Sequence, residues 1–262
     1  GKIVEFIGIT GAGKSTLCNF ARDEFVRAGV NAVDSQQVLL RIRDAHFAAW
    51  LVSRLGKTLK AEKRLLRHIR ARGLKSLYSR YPEYEERFEA RLARMGEVSP
   101  TEAAMVRTWV ETKLADFELI GAKRADWSLC FWEEGIALRS VNLFALVADV
   151  GEPEGAEQFV RQWPMPDALV HVRVSVDAAF DRLEQRGHGK RLVLASEQEK
   201  RRFLARSERV VDAIITEASR REVPVFTLDN TLEIEKPRDR ASSQLEGWAA
   251  CAEGLTRLVS EA

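Results

Sequence analysis

Gly8, Gly13, Lys14 and Ser15 stand in the order G-x-x-x-x-G-K-[ST], within the run GKIVEFIGITGAGKST from Gly1 to Thr16. This is the spacing of a phosphate-binding, or Walker A, loop. The chemistry follows from the residue types. Glycines, here Gly8, Gly11 and Gly13 around Ala12, let a backbone curl until successive N–H groups point inward at phosphate oxygens. Lys14 has the reach to meet β- and γ-phosphates, and the Ser15 hydroxyl is placed to ligate Mg²⁺. Thr16 is expected to begin a helix whose N-terminus faces the same anion.

Two further groups of residues could act on such an anion. Glu133 and Glu134 follow the apolar run Ser128 to Trp132. One carboxylate there could hold Mg²⁺ through water, and one could orient an acceptor hydroxyl or take its proton. Glu133, the first residue past the run, is the favoured one; the plain alternative is that both acids cap the next helix. Arg182 and Arg186 lie four apart on one helical face, and Gly187-His188-Gly189-Lys190-Arg191 comes next. A hinged loop carrying guanidiniums can close over a triphosphate and stabilise the charge being transferred. A solvated basic helix end is the plain alternative here.

These residues need elements to hold them. Ile3 to Ile7 is an apolar run broken by Glu5 and reads as a first strand; Leu17 to Val26 is an amphipathic helix stopped by Gly29. Val30 to Val33 reads as a second strand, with Asp34 or Ser35 capping a new helix. No strand pattern returns until Ser128 to Trp132; 35–127 reads as helices. Tyr81-Pro82 breaks that region, Glu83 to Arg94 is a helix stopped near Gly96, and Ser99-Pro100-Thr101-Glu102 has the form of a capping box. The helix it opens carries Val106, Trp109, Val110, Leu114 and Phe117 at helical spacing.

Beyond the third strand come a helix from Ile136 to Val147, a polar loop from Asp149 to Gly155, and a fourth strand from Ala168 to Val174. Then follow a helix from about Asp177 to Arg186, a capping box at Ser196 opening a helix to Arg221, and a fifth strand from Val223 to Leu228. Glu233 to Arg240 reads as a loop, and a capping box at Ser243 opens a last helix from Leu245 to Val259. Strands alternating with helices predict an α/β fold with a doubly wound, five-stranded parallel sheet, and a long helical insertion between strands 2 and 3. Ligands bind such sheets at the carboxyl ends of the strands. The first, third and fifth strands all end in polar residues: the loop, Glu133-Glu134, and Asp229-Asn230.

Composition narrows the class. The chain has 262 residues, 45% of them hydrophobic, with a net charge of +2, which suits a globular domain and argues against a polyanion binder by overall balance. The charge is uneven, since Arg54 to Arg80 holds ten lysines and arginines against one acid, Glu62. On a helical wheel Leu55, Leu59, Leu65, Leu66 and Ile69 share about 120° of arc, with the cations opposite and Glu62 inside the apolar arc. Three dispersed cysteines, Cys18, Cys130 and Cys251, show no metal spacing and read as reduced, packed thiols. No signal peptide or transmembrane run is evident, and a cytoplasmic location is expected.

Three features together resemble the nucleoside and nucleotide kinase group of phosphate-loop proteins, with thymidylate-kinase-like members the nearest. They are GITGAGKST at the first strand, EEG after the third, and R-x-x-x-R with a glycine-containing basic loop after the fourth. The resemblance implies a single kinase domain over 1–262, with 35–127 as the acceptor-binding region and 186–195 as a lid loop. It implies ATP and Mg²⁺ as cofactors, ATP phosphates at Gly11 to Thr16, an acceptor-side acid at Glu133, and lid arginines at Arg182, Arg186 and Arg191. Asp229 falls where this group passes near the adenine. The chain departs from the group in having Glu-Glu-Gly where many members have Asp-Arg or Glu-Arg. The arginine that grips an acceptor nucleotide is therefore missing, and Arg139 could substitute. Arg41, just past the second strand, also lies near where an acceptor should sit.

The resulting expectation is a phosphotransferase moving the γ-phosphate of ATP to a nucleoside, a nucleotide or a sugar-like alcohol. The rival is an NTP-binding switch, or a nucleic-acid-associated ATPase using the basic helices 54–80 as a partner surface. That basic region could equally be a solvated face, or serve an acidic acceptor or an anionic membrane surface. The sequence is compatible with a homodimer. A guanine motif N-K-x-D and an LSGGQ motif are both absent, which argues against a GTPase and an ABC-type ATPase.

Overall fold

The apolar run after Gly1 forms the central strand β1 (Lys2–Ile7), in which Ile3 to Ile7 are all buried. The structure is a computed structural model that describes residues 1–53, 60–146, 153–186, 196–230 and 247–260, with side chains outside 46–53, 60–65 and 153–154. Four strands flank β1: β2 (Ala32–Asp34), β3 (Leu129–Trp132), β4 (Ala168–Arg173) and β5 (Val225–Asp229). Their order is β2-β3-β1-β4-β5, and every neighbouring pair is parallel. Parallel neighbours require crossovers and burial on both faces, hence the near-continuous apolar strands. This is the doubly wound, five-stranded α/β sheet of the phosphate-loop NTPase fold, with a long helical region between β2 and β3.

Register decides what each face carries. Val4 pairs with Phe131 and Glu5 with Trp132. Successive side chains alternate between faces. On one face Phe131 lies 6.1 Å from Phe6 and 5.8 Å from Phe25 of α1 (Lys14–Arg27). On the other, Trp132 stacks at 6.0 Å on Phe117, and Glu5 meets the helix that follows β3.

Between β2 and β3 the chain forms α2 (Ser35–Ser53), α3 (Lys60–Arg80), α4 (Pro82–Val98) and α5 (Pro100–Gly121), with no strand among the described residues. Asp34 caps α2, accepting from the Gln37 amide at 2.8 Å. Of the basic stretch, 54–59 and the Glu62 side chain lie outside the described residues. Ile69 is buried where the wheel puts it, Arg67 and Arg72 are exposed, and Arg70 reaches the buried Asp116 at 2.7 Å. The helix α4 passes through Gly96 rather than stopping near it, and ends where Ser99 and Pro100 start a new one. Ser99 makes no side-chain capping bond, so proline, not the box, marks this start.

After β3 come α6 (Ile136–Ala145), α7 (Pro153–Arg161), α8 (Val176–Arg186), α9 (Glu197–Arg220) and α10 (Trp248–Ser260). The α7 helix begins inside the stretch Asp149 to Gly155, read from the sequence as a polar loop, and runs on over 156–161, to which the sequence reading gives no element. Pro153 reads as a turn residue, yet it also suits a first helical position. Ala156, Phe159 and Val160 are buried there. Tyr84 of α4 joins this side of the core, with its ring 4.7 Å from Trp163 and 5.1 Å from Phe159. Arg91 of α4 donates to the Leu143 carbonyl at the end of α6 and lies over the Phe144 ring. The Ser196 capping box is present in full, whereas the Ser243 box and the 233–240 segment lie outside the described residues. All three cysteines are buried and free. Among the described residues no helix is long and apolar enough to cross a membrane.

Candidate functional site

The loop leaves β1 at Gly8 and enters α1 at Lys14, two residues before the expected start at Thr16. Gly11 and Gly13 hold φ of +88° and +87°, the left-handed region that favours glycine. A Cβ on Gly11 would lie 2.7 Å from the Ala179 carbonyl, and one on Gly13 2.5 Å from the Asn230 side chain. Both glycines are therefore required twice over, by conformation and by space. Ala12 is buried, and its carbonyl accepts from Asn230 Nδ2 at 2.7 Å. In the curled loop the Lys14 ammonium donates to the carbonyls of Gly8 at 3.0 Å and Ile9 at 2.9 Å. Burial pulls that ammonium down to about 8, against the upward pull of Glu134 and Glu133. A half-buried cation resting on carbonyls stands ready to exchange them for an anion.

A cleft of about 240 Å³ opens over the loop. The loop side is Gly8, Thr10, Gly11, Gly13, Lys14, Ser15 and Thr16; opposite stand Glu133, Glu134, Leu138, Arg139, Val141 and Asn142, with Leu183 and Arg186 at one end. The Ser15 hydroxyl donates to Glu133 Oε1. Glu134 forms an ion pair with Arg139, which is largely buried and lies 5.6 Å from the Trp109 ring centroid. The two acids thus point different ways, Glu133 at the loop and Glu134 at the helices. Among the described residues no three His, Cys, Asp or Glu side chains cluster to cage a metal. Magnesium fits such a site nonetheless, because it retains several waters and takes only one or two protein oxygens.

Other sequence candidates are placed differently. Arg186 is exposed and lines the cleft from the end of α8. Arg182 does not line it; its guanidinium donates at 2.8 Å to the Asn230 carbonyl. Arg191 and the rest of 187–195 lie outside the described residues. Asp229, at the end of β5, is held by Arg173 of β4 at 2.7 Å. Arg41 is exposed on α2 and does not line the cleft.

Glu5, which the sequence reading leaves without a role, and Asn230, which the resemblance places with Asp229 near the adenine, are brought against the site. Asn230, beside Asp229, locks the loop through Ala12. Glu5 accepts from the first amides of α6. The signal for Glu5 is plain in retrospect, a lone charge in an apolar strand that demands a partner. A larger cleft, about 490 Å³ between α3 and α5, is lined by Arg67, Arg70 and Glu111 among others and contains no loop residue. The smaller cleft is the chemical candidate because the phosphate loop and the acids converge there.

No protein-family model matches the chain, and no curated relative matches it. Solved structures of deoxyadenosine kinase from M. mycoides are similar at a distance. The one with the products dCMP and a flexible dCDP shares 13% identity, covering 97% of this chain and 99% of that chain, with a TM-score of 0.46. The one with bound dATP shares 13% identity over 98% and 100% of the two chains, also with a TM-score of 0.46. The one with bound dCTP shares 11% over 97% and 99%, with a TM-score of 0.41. The fold assignment of this chain stands on its own sheet order and loop conformation.

Proposed function

We propose that the chain is an ATP- and Mg²⁺-dependent phosphotransferase that moves the γ-phosphoryl group of ATP to an oxygen of a small-molecule acceptor, such as a nucleoside, a nucleotide or a sugar-like alcohol. One observation carries this reading. A single cleft holds the phosphate loop on one side and, on the other, two carboxylates with separate partners, Ser15 and Arg139. Glu133 alone would serve a loop that only bound Mg-nucleotide; Glu134 and Arg139 are the charged groups left over for an acceptor.

The residues divide the work. The inward N–H groups of Gly11 to Thr16, with the N-terminus of α1, bind the phosphates of ATP. Lys14 exchanges its loop carbonyls for phosphate oxygens. Ser15 and Glu133 are the oxygen ligands suited to Mg²⁺, which when bound neutralises charge on the phosphate oxygens. Glu133, the acid that the resemblance puts on the acceptor side, bonds Ser15 instead, so Glu134 with Arg139 takes the acceptor side: Arg139 orients the acceptor and Glu134 takes up the proton of an alcohol acceptor as its oxygen attacks phosphorus. The bond between the γ-phosphorus and the bridging oxygen breaks, and ADP leaves. Arg186 sits where a guanidinium can meet the charge on the transferring group. Phosphoryl transfer needs little more than this positioning and charge stabilisation.

The test is ATP turnover with and without a panel of nucleosides, nucleotides, sugars and other alcohols. Stimulation by one acceptor class, with the phosphorylated acceptor recovered, is the expected result. Turnover that ignores every acceptor but rises with DNA or RNA overturns the reading in favour of a nucleic-acid-associated ATPase.

A further inference from the structure

Glu5 is a carboxylate in the middle of the central strand, with 0% of its surface exposed. Its partners are the first-turn amides of α6: Ala137 donates to Oε2 at 3.0 Å and Leu138 to Oε1 at 2.8 Å. The helix has no cap of its own, since Gly135 occupies that position and offers no side chain. It borrows one from another strand. The fit is close, because a Cβ on Gly135 would lie 2.3 Å from Glu5 Cδ. Directly before Gly135 stand Glu133 and Glu134, and one helical turn after it stands Arg139. Further along β1 from Glu5 comes Gly8, where the loop begins.

We infer that Glu5 is a positioning residue, tying the Glu133-Glu134-Gly135 turn and Arg139 to the strand that launches the phosphate loop, so that the two walls of the cleft keep one spacing. The inference rests on the phosphotransferase reading above. Its consequence is selective: transfer depends on Glu5, whereas nucleotide binding, made by the loop backbone, does not.

The charge state of Glu5 gives the inference a second handle. Burial pushes its carboxyl up to about 7, against the downward pull of the two amides and of Lys113 and Arg139. Lys113 from α5 and Arg139 from α6 are the charged groups that face it; Trp132 on β3 and Leu169 on β4 are its strand neighbours. Lys113 in turn faces Asp116, Arg139 and Glu134. The ionised form complements the positive end of α6 and accepts from both amides. As the pH falls through about 7 the carboxyl takes a proton, the grip on the helix weakens, and transfer slows.

The experiment compares wild type and Glu5→Gln for ATP affinity, kcat and acceptor KM between pH 5.5 and 9. Glu5→Gln should bind ATP within about twofold of wild type while kcat falls on the order of 10- to 100-fold. The wild-type kcat should show a low-pH limb that the variant lacks. A variant with wild-type kcat and an unchanged limb overturns the inference, as does equal loss of ATP affinity and kcat. Should the variant not fold, a carboxyl ¹³C titration of wild-type protein decides. Glu5 should titrate near neutral pH together with the amide shifts of Ala137, Leu138 and Glu134, and a titration in the ordinary carboxylate range, or one without those amides, overturns the inference. The two readings fail separately. Absent acceptor-dependent turnover in wild type counts against the phosphotransferase, whereas an uncoupled titration counts against Glu5.

Discussion

The two walls of the cleft are built by opposite means. In the proposed reading the loop wall is the donor side and the wall opposite is the acceptor side; the donor side is one continuous stretch, Gly8 to Thr16, whose conformation Gly11 and Gly13 set. The acceptor wall is side chains gathered from afar: Glu134 after β3, Arg139 on α6, and Trp109 behind it on α5. The backbone site depends on its glycines and on the few neighbours that touch it, Ala179 and Asn230. A side-chain site can be retuned residue by residue, and it shifts whenever the helices that carry it shift. The difference teaches that ATP binding and acceptor choice should be separable by mutation.

That separation can be broken or sharpened by variants at five positions, taken from the largest effect down. Lys14→Ala should lower kcat/KM by about 10³-fold for every acceptor, since it removes the one cation of the donor wall. Its thermal melting without nucleotide should be unchanged or raised, because burial already disfavours that ammonium. Near-wild-type turnover in this variant would place the nucleotide elsewhere. Glu133→Gln should cost about 10²-fold in kcat, with the Mg²⁺ dependence shifted to higher concentration. If Glu134→Gln alone shows that shift, the two acids have exchanged jobs. Arg139→Ala should raise the acceptor KM about tenfold and leave the ATP affinity alone; a matching loss of ATP affinity would erase the distinction between the walls. Arg41→Ala, exposed and away from the cleft, should change steady-state kinetics by less than about twofold. A large effect there would extend the acceptor wall onto α2.

The same contrast explains what could be read from the chain. The donor wall was legible because its geometry is local, with glycines and a lysine at set spacing. Glu133 was legible because it follows an apolar strand, and the sheet then carries it to the loop. Arg182 was not, because whether a helix-end arginine faces a ligand or a neighbouring carbonyl depends on tertiary approach, and here it faces Asn230. Asn230 was hidden for the same reason: nothing local says that its amide crosses from β5 to Ala12. The α7 helix was missed because Pro153 and Gly155 signal a turn, and only burial of Phe159 and Val160 outweighs them. The box at Ser99 shows the converse, a correct helix start inferred in part from a Ser99 side-chain bond that is not made.

The contacts of α4 bear on how such a protein can be remade. Tyr84 packs against Phe159 and Trp163, and Arg91 holds the end of α6, so the helices between β2 and β3 are bonded to elements that come after β3. Aromatic pairs of this kind are worth about 0.5–1.5 kcal/mol each beyond the area they bury. The helices between β2 and β3 are therefore no cassette. Replacing 35–127 would take Tyr84 away from Phe159 and Trp163, which keep only each other and Phe144, so in the proposed reading new acceptors are better sought by single changes around Arg139 than by exchange of the whole segment.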